Sequence, residues 1–234
     1  MDDEKVWAVV PAAGIGARME ADRPKQYLEL GRRPILHHAL ARLCESPPVA
    51  GVVVGLREND PWWRREPFKH SRLLATVTGG AERANTVLNA LDYLLEDGAQ
   101  ESDWVMVHDA VRPCLRQGDV GRLVDAVRRD GSGGLLAVPL SDTIKRDDGK
   151  SHVTETVPRE GLWRAMTPQM FRLGNLRSAL RNALDAGLAA TDEAAAMERE
   201  GCRPLLVACH ADNIKITTPE DLPLAARIME ALEE

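Results

Sequence analysis

The sequence predicts an α/β fold in which a mostly parallel sheet is covered by helices on both faces. Short, almost continuous apolar runs, typical of buried parallel strands, alternate with segments whose apolar residues recur at helical spacing. Glycines and acidic residues directly follow the apolar runs, at Gly14, Gly79–Gly80, Asp109 and Asp142, where such sheets carry their ligand-binding loops. The 234 residues contain no internal repeat and no evident linker, so we expect residues 1–234 to form one domain.

Six apolar runs predict the strands of this sheet. The first ends close to Gly14, and the second is rich in β-branched Val, which favours a strand that is buried on both faces. In chain order the predicted strands are Val6–Ala12, Val49–Leu56, Leu73–Thr78, Trp104–His108, Leu135–Leu140 and Pro204–Cys209.

Six further segments predict helices, because their apolar residues fall on one face. In the second of them, Val87, Leu91 and Leu94 share a face. In the fifth, Asp192 and Glu193 occupy the first turn, where negative charge suits the helix dipole. In chain order the predicted helices are Pro34–Cys44, Arg83–Leu95, Asp119–Arg128, Leu176–Ala186, Thr191–Glu200 and Glu220–Leu232.

One segment, Asp142–Val157, departs from this alternation. Two polar, β-branched arms flank the turn signal Asp148–Gly149, which predicts a β-hairpin. Neither arm has enough apolar residues to enter a core, so a projecting hairpin needs a second surface to order it. The residues alone leave two interpretations open, a dimerisation arm and a surface hairpin without a partner.

Composition and charge exclude several classes of protein. The chain has 30 basic and 36 acidic residues and a formal net charge of -6, which disfavours non-specific binding to nucleic acid or to a membrane surface. No apolar run approaches the ~20 residues of a membrane span, and Met1–Lys5 lacks the features of a secretory signal. The four cysteines form no C-x-x-C pair, so we expect reduced thiols in a cytoplasmic protein.

A glycine-containing loop follows the first predicted strand. It reads P-A-A-G-I-G-A-R-M over residues 11–19, and Arg18 and Lys25 place two cations nearby. Glycines let a backbone approach a phosphate closely. The loop is not a dinucleotide fingerprint, because Met19 occupies the position of the third glycine, and it lacks the G-K-[ST] of a P-loop. It predicts a triphosphate site, and an ordinary strand–helix turn with solvated charges stays open.

Two further strand ends carry candidate binding residues. Gly80 and Thr86 could read a base edge, and the alternative is a plain strand–helix turn. Asp109 suits Mg²⁺, directly or through water, and Arg112 suits an anionic substrate. A structural Asp–Arg pair on a loop is the alternative for these two residues.

Two candidates lie nearer the carboxyl terminus of the sequence. Thr191 precedes a predicted helix and could simply be its N-cap. Lys215 follows the last predicted strand, where it could bind a phosphate or be a solvated surface residue. The sequence has no H-E-x-x-H zinc motif and no G-x-S-x-G nucleophile motif.

An ordered set of motifs gives the pattern its specificity. P-A-A-G-I-G-A-R-M, P-K-Q-Y, G-G-A-E-R, H-D-A-V-R-P, T-P-Q, T-D-E-A and D-N-I-K-I-T occur in this order between residues 11 and 217. Together they resemble the 2-C-methyl-D-erythritol 4-phosphate cytidylyltransferases of the non-mevalonate route to isoprenoids. The resemblance implies a Rossmann-like nucleotidyltransferase fold and a homodimer interlocked by a β-arm, here residues 142–160.

The resemblance also implies the substrates and the residues that bind them. CTP is the expected cosubstrate, with Mg²⁺ as the metal and a polyol phosphate as the acceptor. The expected nucleotide-binding residues are Pro11, Ala12, Ala13, Gly14, Gly16, Gly80, Thr86 and Asp109, with Arg18, Lys25 and Lys215 as the catalytic cations. The expected acceptor-binding residues are Asp109, Arg112, Thr167 and Thr191, joined by Thr143 and Arg159 from the arm of the partner subunit. Asp109 is also the expected metal ligand.

Three alternatives remain beside transfer of CMP to 2-C-methyl-D-erythritol 4-phosphate. Ribitol 5-phosphate cytidylyltransferases share the scaffold and a similar set of motifs, although G-L-W-R-A-M-T-P-Q at residues 161–169 favours the methylerythritol enzymes. A nucleotide-binding module without transferase activity and an NAD-dependent reductase belong to different functional classes.

Overall fold

A seven-stranded sheet forms the centre of the molecule in the computed structural model, which describes residues 4–14, 23–188 and 191–233. In chain order the strands are β1 (Val6–Pro11), β2 (Glu29–Leu30), β3 (Arg33–Pro34), β4 (Gly51–Leu56), β5 (Leu73–Thr78), β6 (Trp104–Val107), β7 (Gly134–Pro139), β8 (Ile144–Asp147), β9 (Val153–Val157), β10 (Trp163–Arg172) and β11 (Leu205–Ala208). Of these, β2 pairs only with β3 and β8 only with β9, in two small antiparallel sheets outside the seven-stranded one. The helices are α1 (Ile35–Cys44), α2 (Pro61–Arg65), α3 (Arg83–Glu96), α4 (Gln117–Asp130), α5 (Leu173–Asp185), α6 (Glu193–Arg199) and α7 (Asp221–Glu233).

The sheet has the order β11-β7-β10-β6-β1-β4-β5, and every pairing that does not involve β10 is parallel. β10 runs antiparallel to both of its neighbours, β6 and β7. The prediction of an α/β fold with a mostly parallel sheet is therefore confirmed.

Two apolar clusters show why helices cover both faces of the sheet. Along β1 the side chains of Ala8 and Val10 pack in one cluster, with residues of α1 and α4. Val9 points to the other face and packs in the second cluster, with residues of α3, α5 and α6. Because side chains alternate along a strand, a strand covered on both faces must be apolar throughout, and all six residues of β4 are buried.

β10 is not among the strands that the apolar pattern predicts, although it lies inside the sheet. Pro168 interrupts it, and proline argues against a central strand because it donates no ladder hydrogen bond. The structure accommodates the proline with a register shift between Ala165 and Gln169 in the pairing with β7. Thr167 lies within this irregular stretch and at the edge of the candidate site described below.

The predicted hairpin is present as β8 and β9. Asp148 stabilises its turn, because one carboxylate oxygen accepts the amides of Lys150 (2.7 Å) and His152 (3.2 Å). Most residues of both strands are exposed, and the side chain of Val153 is among the exposed large apolar groups. The hairpin is confirmed, whereas its role as a dimerisation arm stays a prediction.

Two further findings bear on the sequence-based expectations. Within the described ranges, no helix is both long enough and apolar enough to cross a membrane. None of the four cysteines is paired with another in a disulfide.

Candidate active site

Loops at the carboxyl ends of β1, β5 and β6 meet at one edge of the sheet. The backbone amide of Ala12 donates to the carbonyl of Gly55 (2.7 Å), and that of Gly79 donates to the carbonyl of Leu56 (2.6 Å). The amide of His108 likewise donates to a carbonyl of β1 (2.9 Å). Because each loop begins as a continuation of the sheet, the strands fix where the following residues point.

These loops enclose a pocket of about 290 Å³. The predicted residues that line it are Pro11, Ala12, Ala13, Gly14, Lys25, Gly80, Thr86, Asp109 and Lys215. Gly16 and Arg18, which were also predicted to hold the nucleotide and its phosphates, lie outside the described residues.

A second, smaller pocket of about 160 Å³ adjoins the first. Its lining includes all four acceptor-binding residues predicted in the body of the chain, which are Asp109, Arg112, Thr167 and Thr191. Asp109, Lys215 and Arg83 line both pockets and so form the boundary between them. This boundary is where a group bound in one pocket can meet a group bound in the other.

Thr143 and Arg159, the two arm residues predicted to reach the acceptor, line neither pocket of their own chain. Thr143 is exposed, and the Arg159 guanidinium donates to the carbonyl of Ser141 beside the arm. The structure of one chain therefore does not bring these two residues to the site.

The Asp109 carboxylate contacts three cations. One oxygen lies 3.2 Å from Nε of Arg112 and 3.1 Å from Nζ of Lys215, and the other lies 3.4 Å from a guanidinium nitrogen of Arg83. Burial opposes ionisation of this carboxyl, but the three cations outweigh burial and hold the pKa of Asp109 well below its usual range. Asp109 is thus a permanent negative charge that holds two positive groups, Arg83 and Lys215, at the pocket boundary and a third, Arg112, in the second pocket.

The loop that carries Lys215 is tied to the centre of the site through Asn213. Arg112 donates to the backbone carbonyl of Asn213 (2.8 Å), and the Asn213 side chain donates to the carbonyl of Thr167 (2.8 Å). Asn213 is fully buried, so these bonds are shielded from water. They hold the backbone in place two residues before Lys215. The half-exposed lysine side chain is thereby directed toward Asp109.

His108 is fully buried, and its hydrogen bonds define its tautomer. Nε2 lies 3.0 Å from the carbonyl of Arg112, which can only accept, so Nε2 carries the proton. Nδ1 is then an acceptor for the hydroxyl of Thr167 at 3.0 Å. The Thr167 oxygen in turn accepts the backbone amide of Asp109 (3.0 Å). This chain of bonds orients both Thr167 and Asp109, and it leaves neither nitrogen of His108 available as a base.

Gln26 supports the glycine loop next to Lys25. Its side-chain amide donates to the carbonyls of Ala12 and Gly14, both at 2.8 Å. Gln26 is buried, so the two bonds fasten the Lys25–Tyr27 turn to the end of β1.

The paired glycines after β5 are needed for close packing. A Cβ on Gly79 would lie 2.3 Å from Cβ of Ala13, and one on Gly80 would lie 2.2 Å from Cβ of Asn85. The amide of Gly80 donates to the Thr86 hydroxyl (3.1 Å), so Thr86 both lines the first pocket and holds this turn.

Thr191 is not the N-cap of its helix. Asp192 takes that place, since its carboxylate accepts the amide of Ala195 (2.9 Å) and α6 begins at Glu193. Gln169 on β10 donates to the same carboxylate (2.9 Å), which fixes the helix start against the sheet. Thr191 itself lines the second pocket.

Arg83 and Glu193 were not predicted as site residues. Glu193 is fully buried, and its carboxylate accepts hydrogen bonds from the two terminal guanidinium nitrogens of Arg83, at 2.5 and 3.1 Å. Burial lowers the pKa of Arg83, but the negative charges of Glu193 and Asp109 raise it by more. The pKa therefore lies above its ordinary value, and Arg83 stays charged. Both residues stand inside quoted motifs, G-G-A-E-R and T-D-E-A, but their pairing spans 110 positions and has no local signal.

The described residues do not by themselves provide a complete set of metal ligands. Among residues 4–14, 23–188 and 191–233, no group of three or more His, Cys, Asp or Glu side chains could together hold a metal. Mg²⁺ is commonly held by one or two carboxylates together with substrate phosphates. The Asp109 carboxylate lines both pockets, and the oxygen that faces Arg83 at 3.4 Å is the less engaged of the two, so this oxygen could join such a shared arrangement.

Comparison with known proteins places the chain in a family. The family model described as IspD: 2-C-methyl-D-erythritol 4-phosphate cytidylyltransferase matches residues 6–231. The chain belongs to this family. A curated member from Pseudomonas aeruginosa PAO1 is 55% identical over 216 residues, which is 92% of each chain. A member from Hahella chejuensis is 48% identical over 225 residues, covering 96% of this chain and 93% of its own.

Solved structures of family members agree with the fold. A crystal structure of 4-diphosphocytidyl-2C-methyl-D-erythritol synthase has a TM-score of 0.85 at 37% identity and covers 98% of this chain and 100% of its own. The Francisella tularensis 2-C-methyl-D-erythritol 4-phosphate cytidylyltransferase has a TM-score of 0.82 at 34% identity and covers 96% of this chain and 99% of its own.

Stability should depend on His108 in mildly acidic solution. Burial lowers the pKa of His108 to about 4, below its ordinary value near 6.5. Between these values the unfolded chain binds a proton that the folded protein excludes. We therefore expect this contribution to the free energy of unfolding to be complete above about pH 6.5 and to fall by roughly 3 kcal/mol as the pH drops toward 4.

Urea unfolding of the wild type and of His108→Gln at pH 7.5 and pH 5 measures this effect. The variant should be less stable at pH 7.5 but should lose less on acidification. Equal pH dependence in the wild type and His108→Gln would contradict the assignment.

Proposed function

We propose that this chain transfers the CMP moiety of CTP to 2-C-methyl-D-erythritol 4-phosphate, giving 4-diphosphocytidyl-2-C-methyl-D-erythritol and pyrophosphate. Family membership over residues 6–231 supports the reaction. The observation that carries the proposal is the pair of adjoining pockets, one lined by the predicted nucleotide residues and the other by predicted acceptor residues, with shared charged residues between them.

In this proposal each substrate has its own pocket. CTP lies in the first pocket, with Lys25 and Lys215 beside its phosphates. The acceptor lies in the second pocket, where Thr191 offers a hydroxyl to it. The Thr167 oxygen keeps one lone pair, with which it can accept a hydrogen bond from a hydroxyl of the acceptor. Arg112 is already held by Asp109, so its charge is positioned before the acceptor phosphate arrives.

The reaction then needs no general base. A phosphate monoester has a second pKa near 6, so its oxygen is already anionic at neutral pH. That oxygen attacks the α-phosphorus of CTP, the bond to the β-phosphate oxygen breaks, and pyrophosphate leaves. The work of the protein is to hold the reacting atoms in line and to stabilise the crowded negative charge. The engagement of both nitrogens of His108 agrees with this mechanism.

The cations at the boundary provide the stabilisation. Lys215 lines both pockets, so its ammonium group can stabilise negative charge both on the attacking oxygen and on the α-phosphate. Lys25 approaches from the first pocket only. Asp109 is the proposed Mg²⁺ ligand, directly or through water, and Mg²⁺ bound there with the triphosphate would neutralise part of its charge.

The arm completes the second pocket in a homodimer. Thr143 and Arg159 line neither pocket of their own chain, and the exposed hairpin needs a surface to order it. We assign these two residues to the acceptor pocket of the partner subunit. Residues 1–234 then act as one cytidylyltransferase domain whose arm, residues 142–160, is shared between subunits of a cytoplasmic enzyme.

Release of pyrophosphate from CTP tests the proposed reaction. With Mg²⁺ and equal concentrations of each acceptor, 2-C-methyl-D-erythritol 4-phosphate should be turned over far better than ribitol 5-phosphate. A preference for ribitol 5-phosphate would overturn the substrate assignment. Calorimetry that shows binding of NAD(P)H and no binding of Mg²⁺ with CTP would overturn the transferase assignment.

Loss of either Lys25 or Lys215 should slow the chemistry much more than it destabilises the fold. Lys25→Ala and Lys215→Ala should each lower kcat by at least about 100-fold, since each removes a charge that stabilises the transition state. Steady-state kinetics and thermal unfolding measure the two effects. Lys69→Ala is the control, because Lys69 is exposed and lines neither pocket. Wild-type turnover in either variant would refute its catalytic role.

Subunit complementation should reveal the shared site. Arg159→Ala and Lys215→Ala are expected to be nearly inactive alone. In a mixed dimer, the intact body of one subunit meets the intact arm of the other, so random mixing should restore about a quarter of wild-type activity. Co-expression with two affinity tags isolates the mixed dimer. No recovery in a purified mixed dimer would place Arg159 in the site of its own chain.

A further inference from the structure

A short aromatic helix packs against the segment that carries Lys25. Helix α2 begins after Asp60, whose carboxylate accepts the amides of Trp62 (3.0 Å) and Trp63 (3.2 Å). This cap fixes both tryptophans at the start of the helix. No sequence motif described above includes α2.

The ring of Trp62 contacts both ends of the Lys25 segment. The guanidinium carbon of Arg23 lies 4.9 Å from the centre of the Trp62 ring, within the range of a cation–π interaction. The ring of Tyr27 is stacked on Trp62 with 6.5 Å between centroids and 28° between planes. Lys25 lies midway between these two contacts in the chain.

The opposite side of the same segment is fastened to the sheet. Gln26 donates to the carbonyls of Ala12 and Gly14, and Tyr27 is buried in the core cluster that contains β1 residues. The backbone from Arg23 to Tyr27 is therefore held between the end of β1 and the face of Trp62. Lys25 projects from this held segment into the first pocket.

We propose that Trp62 is a positioning residue for the nucleotide pocket, which holds the Arg23–Tyr27 segment so that Lys25 meets the triphosphate. This rests on the proposed function only in taking the ligand of Lys25 to be CTP. Trp62 lines neither pocket, so it acts through Arg23 and Tyr27.

The neighbouring Trp63 makes a different set of contacts and supplies a matched control. Its ring meets the edge of His37 with 6.2 Å between centroids, and it packs on the core. Both tryptophans are partly buried in the same helix, so truncation of either should lower stability. Only Trp62 should affect the use of CTP.

The test compares Trp62→Leu, Trp62→Phe, Arg23→Gln, the double variant Arg23→Gln/Trp62→Leu and Trp63→Leu in the full-length protein. Leucine keeps apolar packing but removes the π face, whereas phenylalanine keeps a smaller one. We expect Trp62→Leu to lower kcat/KM for CTP about tenfold, with KM for the acceptor within twofold of wild type. Trp62→Phe should keep most of the wild-type kcat/KM for CTP, and Trp63→Leu should keep it within twofold of wild type.

The double variant tests whether the contact itself is responsible. If Arg23 and Trp62 act through one contact, the double variant should be no worse than the poorer single variant, both in kcat/KM for CTP and in urea unfolding. Full additivity in urea unfolding, or an equal loss of CTP use in Trp62→Leu and Trp63→Leu, would overturn the proposal. Absence of CTP turnover in the wild type would instead overturn the proposed function. The comparison of the single and double variants in urea unfolding would still test the contact between Arg23 and Trp62.

Discussion

The Asp109 carboxylate and its three cations organise the site. Arg83 comes from the start of α3, Arg112 from the loop after β6 and Lys215 from the loop after β11, so one buried acid joins three distant parts of the chain. Removal of the acid would leave like charges facing one another in a partly buried cluster, which is costly. The same cluster separates the two pockets, so in the proposed reaction the interaction that orders these loops would also define where the two substrates meet.

This arrangement reconciles an acidic protein with a reaction between two anions. The formal net charge of -6 is spread over the whole chain, whereas cations predominate at the pocket boundary. Asp109 and Glu193 hold these cations without neutralising all of them. Preorganised charge of this kind stabilises a transition state without reorganisation during the reaction. Two of the six lysines in the chain, Lys25 and Lys215, line the first pocket.

Sequence patterns predicted the parts of the structure that local physics determines. Apolar runs located the parallel strands, and Gly14, Gly80 and Asp109, which follow three of them, line the first pocket because the carboxyl ends of parallel strands share one edge. Asp142, which the same reasoning had included, lines neither pocket. The strand β10 escaped prediction because Pro168 breaks its pattern and the irregular pairing with β7 absorbs it. The Arg83–Glu193 pair and the contact between Trp62 and Arg23 depend on tertiary packing, which no local period encodes. The pattern T-D-E predicted a helix start but not that Asp192, rather than Thr191, would cap it.

Substitution of Asp109 by its neutral isostere tests the central claim most directly. Asp109→Asn keeps the shape of the side chain and removes the charge that holds Arg83, Arg112 and Lys215 around the two pockets. Steady-state kinetics with CTP and 2-C-methyl-D-erythritol 4-phosphate should show kcat/KM for the acceptor reduced by at least about 100-fold, equivalent to roughly 2.7 kcal/mol of lost transition-state stabilisation. A variant that retains kcat/KM within threefold of wild type would contradict the claim that this charge organises the site.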